Sequence, residues 1–345
     1  AAFVLILQYS LYELSYDNFY ENAGQVYRIR QDRYDKGVLS TTWGAGCAAI
    51  GPALKNEFPE VLDFGRLANV GGVINIGESN FREDKMFAAN SSFLTMLPVR
   101  LIAGHDSTAL NEPFTAVISE SIAVKYFGGT DVIGKTIGLN KEVDFKITGV
   151  FKDIPGNTHL KFNILISWPT YVKWRGPEIE TAWFWDGFYT YISLQEGTDA
   201  VAFEKKMNEF SDKQIEDLTR QFGQSAIYYL QPIQSIHLHS NLMWEAEVNG
   251  DARIVYFLMI IAFIILIIAW VNYINLSTVK AMFRSREVAI RKISGALRHN
   301  LIKQFLIESF TINLIASLFA LTMVLLFQPY FRDFTGREMN LGSPV

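Results

Sequence analysis

The sequence predicts an α+β extracytoplasmic domain, folded as two lobes and inserted between transmembrane α-helices. Three observations carry that expectation. Half of the 345 residues are hydrophobic and the mean hydropathy is positive, +0.14, which points to membrane segments beside a globular part. Two stretches, residues 254–279 and 309–331, contain no charged side chain. Between them, residues 280–303 hold seven Lys or Arg against a single acid, so this segment carries +6 and the rest of the chain −10.

Residues 1–14 open with "AAFVLILQYSLY", apolar but shorter than the roughly 20 residues that a bilayer crossing needs. They are read as the end of a first transmembrane helix in a truncated chain. A signal peptide would carry a basic leader and a small-residue cleavage site, neither of which is present. Residues 15–250 form an excursion large enough for its own core. Within it "GCAAIGPALKNEFPEV" has helical spacing ended by Pro59, "TAVISESIAVKYFGG" reads as a strand then an amphipathic helix, and "DGFYTYISLQEG" alternates as a strand before a turn. Residues 254–279 are apolar on every face, and 26 residues at ~1.5 Å each exceed a hydrocarbon core of about 30 Å. Residues 304–331 are read as a second full span and 332–345 as an extracytoplasmic tail. The positive-inside rule puts the basic loop, 280–303, in the cytoplasm and the excursion on the opposite side.

"GTDVIGKT", Gly129–Thr136, matches the phosphate-binding pattern G-x-x-x-x-G-K-[ST]. Phosphate binding needs a strand before the loop and a helix after it. Here a helical pattern precedes, and alternating Val143, Phe145 and Ile147 follow after a hairpin-like "LNKE". The order is reversed, and the match is read as chance. His237 and His239 of "IHLHS" would share a face if they lay on a strand, but no third ligand is fixed, and no metal or other cofactor is assigned. The aromatic cluster around Trp183, Phe184, Trp185, Phe188, Tyr189 and Tyr191 suits a domain core or lobe interface better than a ligand pocket. The single cysteine, Cys47, excludes an internal disulfide and is expected to be structural. No nucleophile elbow or Ser/His/acid spacing argues for an enzyme, and the acidic body argues against nucleic acid.

The basic loop reads "VKAMFRSREVAIRKISGALRHNLIKQFLIES". Arg284, Arg291 and Arg298 recur every seven residues, as do Phe283, Ile290 and Leu297, with Ile293 filling in the apolar stripe. This spacing predicts an amphipathic helix, or a helix pair broken near Gly295, at the membrane surface. Such an element either anchors on anionic headgroups or docks a cytoplasmic partner, and the embedded Glu287 favours docking. Asn272 and Asn275, one turn apart near the cytoplasmic end of the first full span, are expected to hydrogen-bond between helices rather than line a substrate path.

This junction, "VNYINLSTVKAMFRSREVAIRKISGALRHNLIKQFLIES", resembles that of FtsX/MacB-type ABC transporter permeases, in which an asparagine-bearing helix end precedes "R-x-x-E-[IV]-[AG]-I-R-K-x-x-G-A". "LSYDNFYENAGQVYRI", "ISESIAVKYFGGTDVIGKTIGL" and "ITGVFKDIPGNTHLKFNILIS" are similar to recurring segments of the MacB-type periplasmic core domain. The resemblance implies a permease subunit of the bacterial inner membrane, multi-pass, with its large domain in the periplasm. It also implies a coupling helix on which a separate cytoplasmic ABC ATPase docks, carried here by Arg286, Glu287, Ile290, Arg291, Lys292, Gly295 and Ala296. A second permease copy or half, membrane lipids and a periplasmic or outer-membrane protein are the further implied partners. ATP-driven motion would then pass through the helices to the periplasm for efflux, export of lipoproteins or peptides, or mechanotransmission. A membrane-anchored extracytoplasmic sensor or receptor is the alternative from another class. The reversed order around Gly129–Thr136 predicts that the excised excursion shows no saturable heat of ATP binding by calorimetry. A stoichiometric isotherm would overturn that rejection.

Overall fold

Strand periodicity dominates the chain between Tyr16 and Gly250. In the computed structural model, which describes residues 1–97, 99–295 and 297–337, this stretch is one of two units. The other joins Ala1–Ser15 to the residues from Asp251 onward.

The chain begins with α1 (Ala2–Leu14), and the larger unit opens with β1 (Val26–Asp35), β2 (Val38–Trp43), β3 (Gly46–Cys47) and α2 (Ile50–Glu57). Strands β4 (Val61–Asn69), β5 (Gly72–Ile76), β6 (Ser79–Glu83) and β7 (Met86–Ala89) lead to α3 (Ser92–Met96) and β8 (Leu101–Ala103). Next come β9 (Thr115–Ser119), α4 (Glu120–Phe127), the hairpin β10 (Thr136–Leu139) and β11 (Val143–Phe151), then β12 (Ile164–Ser167) and α5 (Trp168–Arg175). The unit closes with β13 (Asp186–Leu194), α6 (Ala200–Phe222), β14 (Gln224–Pro232) and α7 (Ile233–His239). Two long helices follow, α8 (Ala252–Ile293) and α9 (Arg298–Thr335).

One mixed sheet carries the larger unit, in the order β14-β1-β13-β4-β7-β12-β9-β11-β10-β5-β6, with β2 beside β1, β3 beside β13 and β8 beside β11. Most pairs are antiparallel; β9 with β11 and β7 with β12 run parallel. The α+β class is as expected. In place of two lobes there is one compact unit on this single sheet, whose two ends are covered by different helices. Alternation along the strands assigns the cores: Leu67, Phe87, Val117, Leu165 and Tyr189 pack on one face, while their neighbours Ala68, Ala88, Ala116, Ile164 and Phe188 pack on the other. On that second face, one end is covered by α4 and α5 and the other by α2 and α6.

Local signals explain the helices. Asp199 caps α6 by accepting from the N–H groups of Val201 and Ala202, and Phe203, Met207, Ser211 and Ile215 form its buried stripe at four-residue spacing. Ser119 caps α4 in the same way through Ile122 N–H. Asn140 and Lys141 both hold positive φ, 53° and 60°, at the centre of a β-turn closed by Glu142 N–H on the Leu139 carbonyl, which makes the three-residue connection between β10 and β11.

In the smaller unit, α1 lies against both long helices. Phe3 meets Phe263 of α8 edge-on at 6.1 Å between ring centroids, and Tyr9 meets Phe331 of α9 at 6.3 Å. Glu13, 1% exposed, pairs with Arg337 at 2.9 Å. Both α8 and α9 are long and apolar enough to cross a membrane, and most of their apolar surface is uncovered within the single chain.

Gly104 has φ +94°, and a Cβ there would stand 2.4 Å from the Thr148 carbonyl oxygen. We expect Gly104→Ala to cost about 1–3 kcal/mol through backbone strain and displacement of β11. Thermal unfolding of the detergent-purified chain, followed by near-UV circular dichroism, measures it. An unchanged midpoint would mean that the backbone moves aside at no cost.

Candidate functional site

Two groups of residues stand out, a basic turn in the smaller unit and a set of buried charges in the larger one. The basic turn begins inside α8. The expected short surface helix is not a separate element: α8 runs unbroken for 42 residues, through Arg284, Arg286, Glu287, Ile290, Arg291 and Lys292. The reason is local, since residues 280–293 hold no Gly or Pro and are rich in Ala, Arg, Lys, Met and Glu, all strong helix formers. Glu287 and Arg291 add an i,i+4 ion pair at 2.5 Å.

The break falls where the spacing placed it. Gly295, at φ +86°, ends the helix in a conformation that a side chain would resist, and Arg298 begins α9. Arg291 reaches across to Gln304 Oε1 at 2.8 Å, and Arg284 pairs with Glu308 of α9. These braces hold the turn closed. Arg286 and Lys292 are exposed and make no ion pair among the described residues. Beside them Phe283, Ile290, Ile293 and Leu297 are exposed by 79%, 65%, 88% and 69%, too much for residues that serve this chain's own core. Ala296 lies outside the described residues. Asn272 and Asn275 are exposed and form no side-chain hydrogen bond among the described residues.

The second group fastens both chain ends of the larger unit to its sheet. Arg28 on β1 is fully buried and bidentate to Glu245, at 2.5 and 3.0 Å, with Gln231 Oε1 at 2.7 Å and Ser240 Oγ at 3.1 Å completing its surroundings. Burial pushes the Glu245 carboxyl up, but the hydrogen bonds and charge of Arg28, with the Ser240 hydroxyl, outweigh it and hold the group below the usual carboxylate range. Trp244 stacks on Trp43 at 5.2 Å, and Met243 exchanges backbone hydrogen bonds with Thr42 and Gly44. At the other end, the Asp17 carboxylate accepts from the His159 backbone N–H and from Thr158 Oγ1, and lies 2.8 Å from His159 Nδ1. His159 Nε2 is 2.9 Å from the Tyr191 hydroxyl, which burial pushes well above its ordinary pKa. Tyr16 stacks flat on His237 with 3.3 Å between centroids.

Several candidates find other uses. His237 and His239 lie on α7, not on a strand, so two residues turn them about 200° apart. Among the described residues no His, Cys, Asp and Glu group has metal-holding geometry. In "GTDVIGKT" the Gly134 N–H donates to the Ile147 carbonyl and the Lys135 carbonyl accepts from Ile147 N–H, both at 2.8 Å, so this backbone is spent on β11 rather than cradling phosphate. Of the aromatic cluster, Trp183, Phe188, Tyr189 and Tyr191 are buried core, while Trp185 is exposed. Cys47 is buried against Tyr228, and burial pushes its thiol up to about 11. Arg28, Asp17 and His159 escaped the reading of the sequence. Three arginines in "VYRIRQDRYD" look alike, and nothing local separates the one that is wholly enclosed.

Comparison with known proteins follows this division. The MacB-like periplasmic core domain matches residues 1–210, and the FtsX-like permease C-terminal family matches residues 259–343. The macrolide export ATP-binding/permease protein MacB of Aggregatibacter actinomycetemcomitans is 23% identical over 256 residues, covering 71% of this chain and 35% of that protein. Its counterpart from Pasteurella multocida is 24% identical over 263 residues, 72% of this chain and 36% of that protein. This chain thus spans about a third of the length of these relatives. A crystallised domain of a permease protein from Porphyromonas gingivalis has the same fold, with a TM-score of 0.54 and 23% identity over 62% of this chain and 91% of that one.

The Arg28–Glu245 pair generates a pH dependence. Because the folded-state pKa of Glu245 is depressed, its stabilisation is present above the unfolded value, about 4.3, and is lost as pH falls through the folded value. Glu245→Ala should cost about 3–5 kcal/mol at neutral pH by stranding Arg28. It should also flatten the acid limb of the unfolding midpoint plotted against pH. A variant with the wild-type acid slope would remove Glu245 from the stability of this fold.

Proposed function

The chain belongs to the FtsX/MacB-type ABC transporter permeases, and from that premise we propose that it relays ATP-driven motion of a partner ATPase through membrane helices to a periplasmic domain. In this reading α8 and α9 cross the bilayer together with α1, the larger unit is periplasmic, and the turn around Gly295 is cytoplasmic. Hydrolysis takes place on the ATPase, and the chain itself moves.

The observation that carries the proposal is the continuity of α8. A helix of 42 residues is about 63 Å long at ~1.5 Å per residue, roughly twice the hydrocarbon thickness of a bilayer. Its basic end therefore projects beyond the membrane as an extension of the spanning rod. The exposed Ile290 and Ile293, next to Arg286 and Lys292, which make no ion pair among the described residues, offer an ATPase an apolar contact with a cationic rim. Glu287 and Arg291, paired with each other but half-exposed, present their own charges to that contact, and Gly295 ends the helix beside it. Ala296 joins them by its place in the motif. Asn272 and Asn275 face outward and find their hydrogen bonds on a second permease copy, each contributing about 0.6 kcal/mol.

Co-purification in detergent of the full-length permease with the ATPase encoded beside it tests the docking role. Arg291→Glu and Glu287→Lys should each lower ATPase recovery about tenfold or more, as expected when an interfacial charge contact is reversed. The double variant restores the intrahelical pair while leaving the presented charges exchanged, so it should stay defective. Recovery equal to wild type in all three would remove the turn from the coupling path, and an ATPase that never associates with the wild type would sink the relay itself.

A further inference from the structure

A cavity of ≈ 460 Å³ lies between α8 and α9, lined chiefly by Ser277, Lys280, Arg284 and Ser285 on one side and by Phe305 and Ser309 on the other. We propose that it is a binding site for the phosphate headgroup of an anionic phospholipid. The inference rests on the reading that α8 and α9 span the bilayer, and concerns surfaces other than the exposed stripe assigned to the ATPase.

The α8 residues recur at three- and four-residue spacing, so they occupy one helix face, and that face is directed at α9. Lys280 is the first cation after the uncharged residues 254–279, and Ser309 is the first residue of the uncharged run 309–331. The cavity therefore sits at the level where polar sequence gives way to apolar sequence on both helices, which is the depth of lipid phosphates. No carboxylate lines it. The two acids next to lining residues in sequence are already paired, Glu287 with Arg291 and Glu308 with Arg284, whose guanidinium carbon lies 5.4 Å from the centre of the Phe305 ring. Lys280 is exposed and makes no ion pair among the described residues. Its ammonium, the remaining donor groups of Arg284 and the hydroxyls of Ser277 and Ser309 present an anion with a ready set of hydrogen-bond donors, while the Ser285 hydroxyl donates to the Met282 carbonyl at 2.7 Å.

The same chemistry would suit a free phosphate, but the surroundings favour a lipid. The Phe305 ring and Ala281 are apolar lining, and beyond Ser277 and Ser309 both helices continue as exposed hydrocarbon surface. Acyl chains gain from lying on that surface, whereas inorganic phosphate does not.

The test uses the full chain reconstituted in phosphatidylcholine vesicles containing spin-labelled phosphatidylglycerol or spin-labelled phosphatidylcholine, with the motionally restricted fraction read by electron paramagnetic resonance. The wild type should restrict phosphatidylglycerol preferentially. Lys280→Gln should reduce that preference about fivefold, the weight of one basic residue near an anionic headgroup. Lys303→Gln removes an equal charge outside the cavity and should leave it unchanged. Equal restriction of the two lipids, or an equal drop in both variants, overturns the site. Displacement of the label by inorganic phosphate, against chloride at matched ionic strength, overturns the lipid as occupant. Alkaline carbonate separates the two levels of the argument: a chain stripped from the vesicles fails as a spanning protein and loses the site with it, while one that stays embedded without lipid preference loses the site alone.

Discussion

A guanidinium with no exposed surface needs a carboxylate, and Arg28 obtains one from Glu245, 217 residues further along the chain. Removing two charges from water is expensive, and only good geometry with satisfied neighbours compensates for it. Here the compensation is bidentate and supplemented by Gln231 and Ser240, so β1, β14 and the segment after α7 all converge on one cation. The consequence is topological. The larger unit cannot complete β1 without also fixing the stretch that leads out of it.

The smaller unit obeys a different constraint. Within a bilayer every backbone polar group must be satisfied internally, which favours unbroken helices and confines breaks to aqueous ends. Gly295 is such a break. Because the residues on its N-terminal side are strong helix formers, α8 does not stop where its uncharged run ends at Val279 but continues to the turn. Charge distribution follows from the same geometry, with the cations placed beyond the uncharged runs and cross-braced by Glu308 and Gln304.

How much of this was legible depends on how local each signal is. The uncharged runs, the helix–loop–strand order around Gly129–Thr136 and the turn at Asn140 and Lys141 are written in consecutive residues, and periodicity exposes them. Helix α7 was less plain, because His237 and His239 alternate like a strand while the Ile233 and Ile236 spacing that marks a helix spans a single turn. The unity of the sheet was hidden because its neighbours are distant in sequence: β13 lies between β1 and β4, and β7 beside β12. Arg28 and Asp17 were missed for the same reason. Their partners are set by tertiary approach, and polar residues destined for burial look no different from those destined for solvent.

Each end of the larger unit is fastened at its first or last residues. Ser15 ends α1 with its N–H bonded to the Tyr12 carbonyl, and the next residues, Tyr16 and Asp17, are already stacked on His237 and bound by Thr158 and His159. Gly250 is bonded to the His237 carbonyl at 2.8 Å, and the following residue, Asp251, is the cap of α8, accepting from Arg253 N–H. Within the larger unit the first and last residues meet at His237, which Tyr16 stacks on and whose carbonyl accepts from Gly250 N–H. The anchors are charged and aromatic rather than merely apolar. An apolar contact can slide with little change in energy, whereas a buried carboxylate with several donors and a stacked ring hold a fixed geometry, so both ends of the larger unit are fixed on its sheet.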